Sequence, residues 1–277
     1  LICAAAAAQG KHVRVLPRLT AGSQFGMDPA ALEDLVARRA EFRNVTIAGI
    51  HYFSGTQKRK DAVIAKELAH LDEYLTMLHD KYGFTAQHVE YGPGLNAECL
   101  RDDAEARDGA LLDAAAEHIR AFGEKYPLTI EMGRFFAAPC GTFLTGVADA
   151  KVNDGQRYAI VDGGMNHLVY FGQSLAMRDP KCALLDYEGR AVHPVEPWNV
   201  CGSLCSVNDI LAKQLPFPGL EVGDVLAFEN TGAYCMTEGI SLFLSRELPR
   251  VCLVGTDGQT RLVRDALPTY PLNSPHA

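Results

Sequence analysis

From its start to Phe136 the chain alternates between short apolar runs rich in β-branched residues and longer stretches with helical spacing. That alternation constrains the fold more than any other feature. The clearest helical stretch, 61–81, places Ile64, Leu68, Leu71, Leu75 and Leu78 three or four residues apart, on one face. Residues 45–53 are almost continuously apolar, as a strand covered on both sides is. Shorter strands are expected at 13–16, at 87–91 before Gly92-Pro93-Gly94, and at 128–132. Asp28-Pro29 offers an N-cap and a proline at the first helical position, opening a helix over 30–40, and a further helix covers 104–126. This rhythm predicts a parallel sheet with helical cover.

Beyond Phe136 the pattern changes. Short β-like runs follow at 142–152, 158–162, 225–229 and 251–254, Asn153-Asp154-Gly155 signals a hairpin, and one helix is expected at 207–215. An α/β portion, 1–136, is thus followed by a mainly β portion, 137–277. With 48% hydrophobic and 22% charged residues, composition suggests neither disorder nor a membrane span. A formal net charge of -8 argues against nucleic acid as a partner. Eight cysteines without paired metal-type spacing read as reduced thiols of a cytoplasmic protein that holds no metal. The chain opens with Leu1-Ile2-Cys3 and an alanine run, without a Met, as though inside a helix. It reads as a fragment or a processed chain.

Ligand-binding residues of parallel α/β folds collect at the carboxyl ends of the strands. Here those ends carry Arg18, then His51 with Ser54-Gly55, then Gly92-Pro93-Gly94, then Glu131 with Gly133 and Arg134. A ring, a hydroxyl, glycine amides, a carboxylate and a guanidinium suit a phosphorylated aromatic ligand. Taken singly, His51 reads first as a core histidine and Gly92-Pro93-Gly94 as a turn, while Glu131 and Arg134 read equally as surface charges. The β portion adds a glycine loop, Asp162-Gly163-Gly164-Met165-Asn166, and a strand end closing on Tyr234. It also has a tight loop from Cys201 to Cys205, followed by Asn208-Asp209 and expected to enter a helix whose N-terminus would lower a thiol pKa.

Together these motifs resemble the fold-type III pyridoxal-phosphate decarboxylases, the diaminopimelate and ornithine decarboxylase group. Ser23-Gln24-Phe25-Gly26 is similar to the family's Ser-Lys-Phe-Gly, and Gly49 to Gly55 to its His-x-x-Ser-Gly strand end. Gly92 to Gly94 falls at its glycine-rich phosphate loop and Glu131 to Arg134 at its Glu-Pro-Gly-Arg. Asp162 to Asn166 falls at Asp-Gly-Gly-Met-Asn, Cys205 at the loop cysteine, and Gly232 to Tyr234 at Gly-Ala-Tyr. The resemblance spans essentially the whole chain. It implies the C-terminal portion of an alanine-racemase-like (β/α)8 TIM barrel that binds pyridoxal 5'-phosphate. A β-barrel or sandwich-like domain would follow, its last strand region returning towards the barrel. His51 would stack on the cofactor ring and Glu131 would bond its nitrogen. Ser54, Gly92, Gly94, Gly133, Arg134 and Tyr234 would serve the phosphate side. Cys205 would donate a proton from the neighbouring subunit of a homodimer with shared active sites. The implied reaction is decarboxylation of a small amino acid, meso-diaminopimelate to lysine in the first instance.

Departures from the family bear on this reading. Its cofactor-anchoring lysine sits on an early barrel strand, in an Ala-x-Lys context that no lysine here shares. Lys11, Lys58, Lys60, Lys66 and Lys81 are expected in helices or loops. The anchoring lysine is therefore expected in N-terminal barrel units that precede this chain. Pro93 removes one amide from the phosphate loop, and Met132 replaces a proline. Ser206 stands where the family is acidic. His167 stands where diaminopimelate enzymes carry an acid followed by an arginine. An ornithine- or arginine-type or carrier-bound substrate, a racemase on the same barrel and a non-catalytic binding homologue stay open alternatives.

Overall fold

The computed structural model describes residues 1–97, 100, 104–170, 176, 178–185 and 193–275, with backbone only at 104–106. Cys99 lies outside the described residues. The chain divides into two compact units between Phe135 and Phe136.

The first unit runs α1 (Ile2–Ala8), β1 (Val13–Val15), β2 (Arg18–Leu19), α2 (Pro29–Ala37), β3 (Val45–Ile47) and β4 (Gly49–Phe53). It continues through α3 (Asp61–Tyr82), β5 (His88–Gly92), α4 (Ala104–Gly123) and β6 (Leu128–Ile130) into α5 (Gly133–Ala137). Strands β2, β4, β5 and β6 lie in that order in one sheet, every pair parallel, and β1 and β3 form a second parallel pair. Helix α2 begins where its sequence dictates: the Asp28 carboxylate accepts from the Ala31 amide at 2.9 Å, with Pro29 at the first turn. Helix α3 buries Ile64, Leu68, Leu71, Leu75 and Leu78 and ends at Gly83, whose φ of 60° makes a left-handed cap. Against that face pack Ile50, Val89 and Tyr91 of the strands, with Leu32 and Val36 of α2.

The single strand expected over 45–53 is instead two. Between them the Ala48 amide donates to Val15 O at 2.9 Å, while Ala48 O accepts the Gln87 amide at 2.8 Å. The chain thus steps from the β1 pairing to the larger sheet. A Cβ on Gly49 would lie 1.6 Å from His88 O, so glycine is what allows β4 to enter at that point.

The second unit runs β7 (Thr142–Asn153), β8 (Gln156–Val161), β9 (Cys182–Leu184), β10 (Glu196–Cys201), β11 (Ile210–Phe217) and β12 (Val225–Glu229). It ends with β13 (Val251–Val254), β14 (Thr260–Arg264) and the short α6 (Tyr270–Asn273). Six strands form a mixed sheet in the order β11-β10-β8-β7-β12-β9, in which only β8 and β10 run parallel, and β13 pairs with β14. Asp154 and Gly155, at φ 48° and 74°, make the primed turn that joins β7 to β8. The helix expected at 207–215 is absent. Residues 210–217 are β11, antiparallel to β10, and residues 206–209 are a turn. The irregular register of β10 beside Val200, with Gln214 at φ 55°, breaks the clean alternation that would have marked this strand.

Among the described residues no helix is long and apolar enough to cross a membrane. None of their His, Cys, Asp and Glu side chains cluster as metal ligands, and no disulfide links the described cysteines.

Candidate active site

Strand register sets the first group of side chains. Arg18 pairs with His51, and His51 with Glu90, across β2, β4 and β5. Paired residues share a sheet face. Their neighbours Leu19, Tyr52 and Tyr91 occupy the opposite, buried face. Glu131 follows the end of β6, its amide bonded to Tyr91 O at 3.0 Å. Its Oε2 lies 3.0 Å from His51 Nε2. Glu131 is held below the ordinary carboxylate range, first by a hydrogen bond from Glu90, then by the His51 and Arg18 charges. Glu90 is pushed up by the same hydrogen bond and by burial. The two carboxylates titrate as a coupled pair, Glu90 shifted up and Glu131 shifted down. Arg18 donates to Phe53 O at 2.9 Å and lies between the rings of Phe25 and Phe53, at 5.1 and 5.4 Å. Its Nε is buried and has no partner among the described residues.

The loops after β4 and β5 make the second group. Lys58 N–H donates to Gly94 O and Lys58 O accepts from Asn96 N–H, both at 2.9 Å. The Gln57 side chain bonds the Ala97 amide and carbonyl at 2.9 and 3.2 Å. Gly94 sits at φ 58°, where a Cβ would lie 1.9 Å from Gly55 O. The two loops nest so closely that only glycine fits, the cradle an anion-binding loop requires. Gly94 keeps its amide although Pro93 has none. Gly92 closes β5 against the Phe53 ring.

Beside this cradle lies a network that the sequence did not reveal. Glu67 of α3 accepts hydrogen bonds from the Ser54 hydroxyl, from Tyr91 Oη at 2.7 Å and from Lys58 Nζ at 2.8 Å. The side chains of Lys58 and Glu67 are only 10% and 11% exposed. Burial pulls the Lys58 ammonium down despite its partner, and burial followed by Glu67 pushes Tyr91 up. Glu90 was also missed, although strand parity with His51 carried the signal. None of the parallel strands β1 to β6 holds a lysine.

Gly133 and Arg134 open α5, and Met132 packs against the core of the first unit. Cys205 and Tyr234 belong to the second unit, and both are exposed. Tyr234 takes φ 62°, just after Gly232, where a Cβ would lie 2.0 Å from Ala137 O. The Cys205 loop meets a strand, so the helix N-terminus expected to lower a thiol there does not exist. Burial, then the charge of Asp209, instead raises Cys201. His167 Nε2 lies 2.7 Å from Glu247 O, and burial lowers its pKa.

Residues 26–232 match the family model described as "Pyridoxal-dependent decarboxylase, C-terminal sheet domain". The chain is 25% identical over 248 residues to the L-glutamyl-[BtrI acyl-carrier protein] decarboxylase of Niallia circulans, covering 87% of this chain and 58% of that one. It is 29% identical over 216 residues to the diaminopimelate decarboxylase of Pseudomonas fluorescens, covering 76% and 49%. It therefore spans roughly half to three fifths of these relatives. The diaminopimelate decarboxylase of M. jannaschii in co-complex with L-lysine superposes with a TM-score of 0.80 over 96% of this chain and 64% of that one, at 22% identity, a likeness of fold.

Proposed function

Because the chain belongs to the pyridoxal-dependent decarboxylases, we propose that it forms the ring- and phosphate-holding part of an amino-acid decarboxylase. The observation that carries this reading is Glu131 held 3.0 Å from His51 at the strand ends, its pKa lowered by Glu90, His51 and Arg18. When bound, pyridoxal phosphate supplies a ring that accepts the electrons left by a departing carboxylate. A carboxylate whose pKa is lowered, with His51 and Arg18 beside it, is suited to hold a proton on a ring nitrogen. His51 would lie against the ring. The buried, unpartnered Arg18 Nε supports a bound group at this end of the sheet. Gly92, Gly94, Gly133 and Arg134 would offer amide and guanidinium donors to a phosphate, Ser54 its hydroxyl once turned away from Glu67, and Tyr234 its phenol.

In this reading the parallel strands are the C-terminal portion of a (β/α)8 barrel, 1–136, and residues 137–277 are the β domain. The anchoring lysine comes from another part of the protein, since Lys58 is committed to Glu67. Cys205 serves as proton donor from the neighbouring subunit of a homodimer in the cytoplasm. meso-Diaminopimelate is the first substrate, giving lysine and carbon dioxide. A carrier-bound amino acid is the second, favoured by the match to a carrier-protein glutamyl decarboxylase and by Ser206 in place of an acid.

The test is release of labelled carbon dioxide by the natural full-length protein supplied with pyridoxal phosphate. Substrates would be diaminopimelate, ornithine, arginine, and glutamate both free and as a carrier thioester. Turnover of one substrate is expected. Release from none would overturn the decarboxylase reading in favour of a binding homologue.

A further inference from the structure

Asp209 is buried, only 2% exposed. It ends the turn between β10 and β11, four residues beyond Cys205. Its Oδ1 accepts the Met165 amide at 2.7 Å and its Oδ2 accepts the Leu204 amide at 2.8 Å. Among the described residues these amides, rather than a cation, are its side-chain partners. Two glycines make room for it. A Cβ on Gly164 or on Gly202 would lie 2.7 or 2.2 Å from a carboxylate oxygen. The Asp209 main chain closes the same turn, its O accepting from Gly202 N–H at 2.9 Å and its N–H donating to Ser206 O at 3.1 Å. Ser203 stitches the turn to the glycine loop, its amide donating to Gly163 O at 3.1 Å and its hydroxyl to Asp162 O at 3.3 Å.

Burying a carboxylate is costly, and the cost is offset here by two directed amide donors. A carboxylate is acceptor-only at both oxygens, so it can hold two amides at once, whereas the amide of Asn offers one oxygen and turns a donor towards the second. One of the held amides is that of Leu204, immediately before Cys205. The other lies in the loop 162–166. Loop-borne chemical groups need such support to keep a fixed position. We propose that Asp209 is the positioning residue for Cys205, clamping the backbone of the cysteine turn to the glycine loop so that the thiol is presented from a fixed site. The proposal rests on Cys205 being the proton donor of the reading above, but the clamp can be measured without that chemistry.

The measurement is amide hydrogen exchange on the natural full-length protein without cofactor or substrate, joined to peptide-resolved alkylation by iodoacetamide. In the unaltered protein, the Met165 and Leu204 amides should exchange within about tenfold of the β8 and β10 strand amides, far slower than free loops. Exchange at free-loop rates would overturn the clamp, whatever becomes of any variant. In Asp209→Asn the same two amides should exchange at least about tenfold faster while strand amides keep their rates. The Cys205 alkylation rate and its pH profile should shift, with the exposed Cys140 and Cys252 as internal references. An unchanged Cys205 profile would reduce Asp209 to a purely structural residue. Gly202→Ala, which keeps the charge but intrudes on the carboxylate, should give the same local signature. In steady-state decarboxylation, Asp209→Asn should lower kcat with little change in KM. An inactive parent would refute the decarboxylase reading and leave the exchange result standing.

Discussion

Removing the Glu67 carboxylate tests the network beneath the glycine cradle. Glu67→Ala strips one acceptor from three donors, Ser54, Tyr91 and Lys58, and leaves the Lys58 ammonium 10% exposed with no counter-charge. Breaking a buried pair from one side costs about 3–5 kcal/mol, because the remaining charge stays desolvated. The three hydrogen bonds share one acceptor, so their losses do not add to that figure. The assay is urea unfolding followed by far-UV circular dichroism, since the single tryptophan, Trp198, lies in the second unit and does not report on α3. The loss should depend on pH. Burial already holds the Lys58 pKa below the ordinary lysine range. Removing Glu67 removes the opposing influence, so the folded variant binds fewer protons than the unfolded chain as pH rises through the folded pKa. Stability then rises with pH towards the unfolded value, and the deficit against the parent should shrink between neutrality and about pH 10. Adding Lys58→Met should recover part of the loss, because an apolar replacement of the whole pair is often neutral. A loss below about 1 kcal/mol, as for an exposed pair, or a deficit independent of pH would refute the reasoning.

Other consequences follow from single positions. Gly94→Ala places a methyl 1.9 Å from Gly55 O at a positive φ and should lower stability by about 1–3 kcal/mol in the same assay, with a neutral result contradicting the nested-loop geometry. His167 has a depressed folded pKa caused first by burial. Its contribution is therefore present above the unfolded value of about 6.5 and lost as pH falls through the folded pKa. Trp198 fluorescence should show the second unit unfolding more readily in that acid range, and His167→Asn should flatten the trend. The Cys182 thiol is pushed up to about 12 by burial and then by Glu229. At pH about 8, iodoacetamide should label exposed Cys140, Cys205 and Cys252 well before it, and equal labelling would show that the strand does not shield it.

Local rules carried much of the fold. Helix α3 was legible because its five apolar positions share a face and a glycine follows its last turn. The β7–β8 hairpin was legible because Asp154-Gly155 suits a turn with two positive φ angles. What failed depends on distant partners. The turn at 206–209 is closed by main-chain bonds to Gly202 and Leu204 and by Asp209, so a segment that reads as an apolar helix becomes β11. The break at Ala48 comes from bonds to Val15 and Gln87, which hydropathy does not encode. At the candidate site, strand ends pointed to His51 and Glu131, which the fold brings to 3.0 Å. Glu67 stayed invisible because it sits within the helical pattern of α3 and meets Ser54 and Tyr91 only through tertiary packing.

In the proposed reading the strand ends of the first unit hold a phosphorylated pyridine. Calorimetric titration of the natural full-length protein with pyridoxine 5'-phosphate, against pyridoxine, tests it most directly. The alcohol in place of the aldehyde removes any covalent attachment to lysine, so only the ring and phosphate contacts are read. The phosphate ester should bind at least about tenfold tighter than pyridoxine, a difference of about 1.4 kcal/mol. Ser54→Ala and Glu131→Gln should each weaken it by about tenfold, as loss of a hydrogen bond to a charged group does. Equal affinity for the two compounds, or binding indifferent to both substitutions, would contradict it.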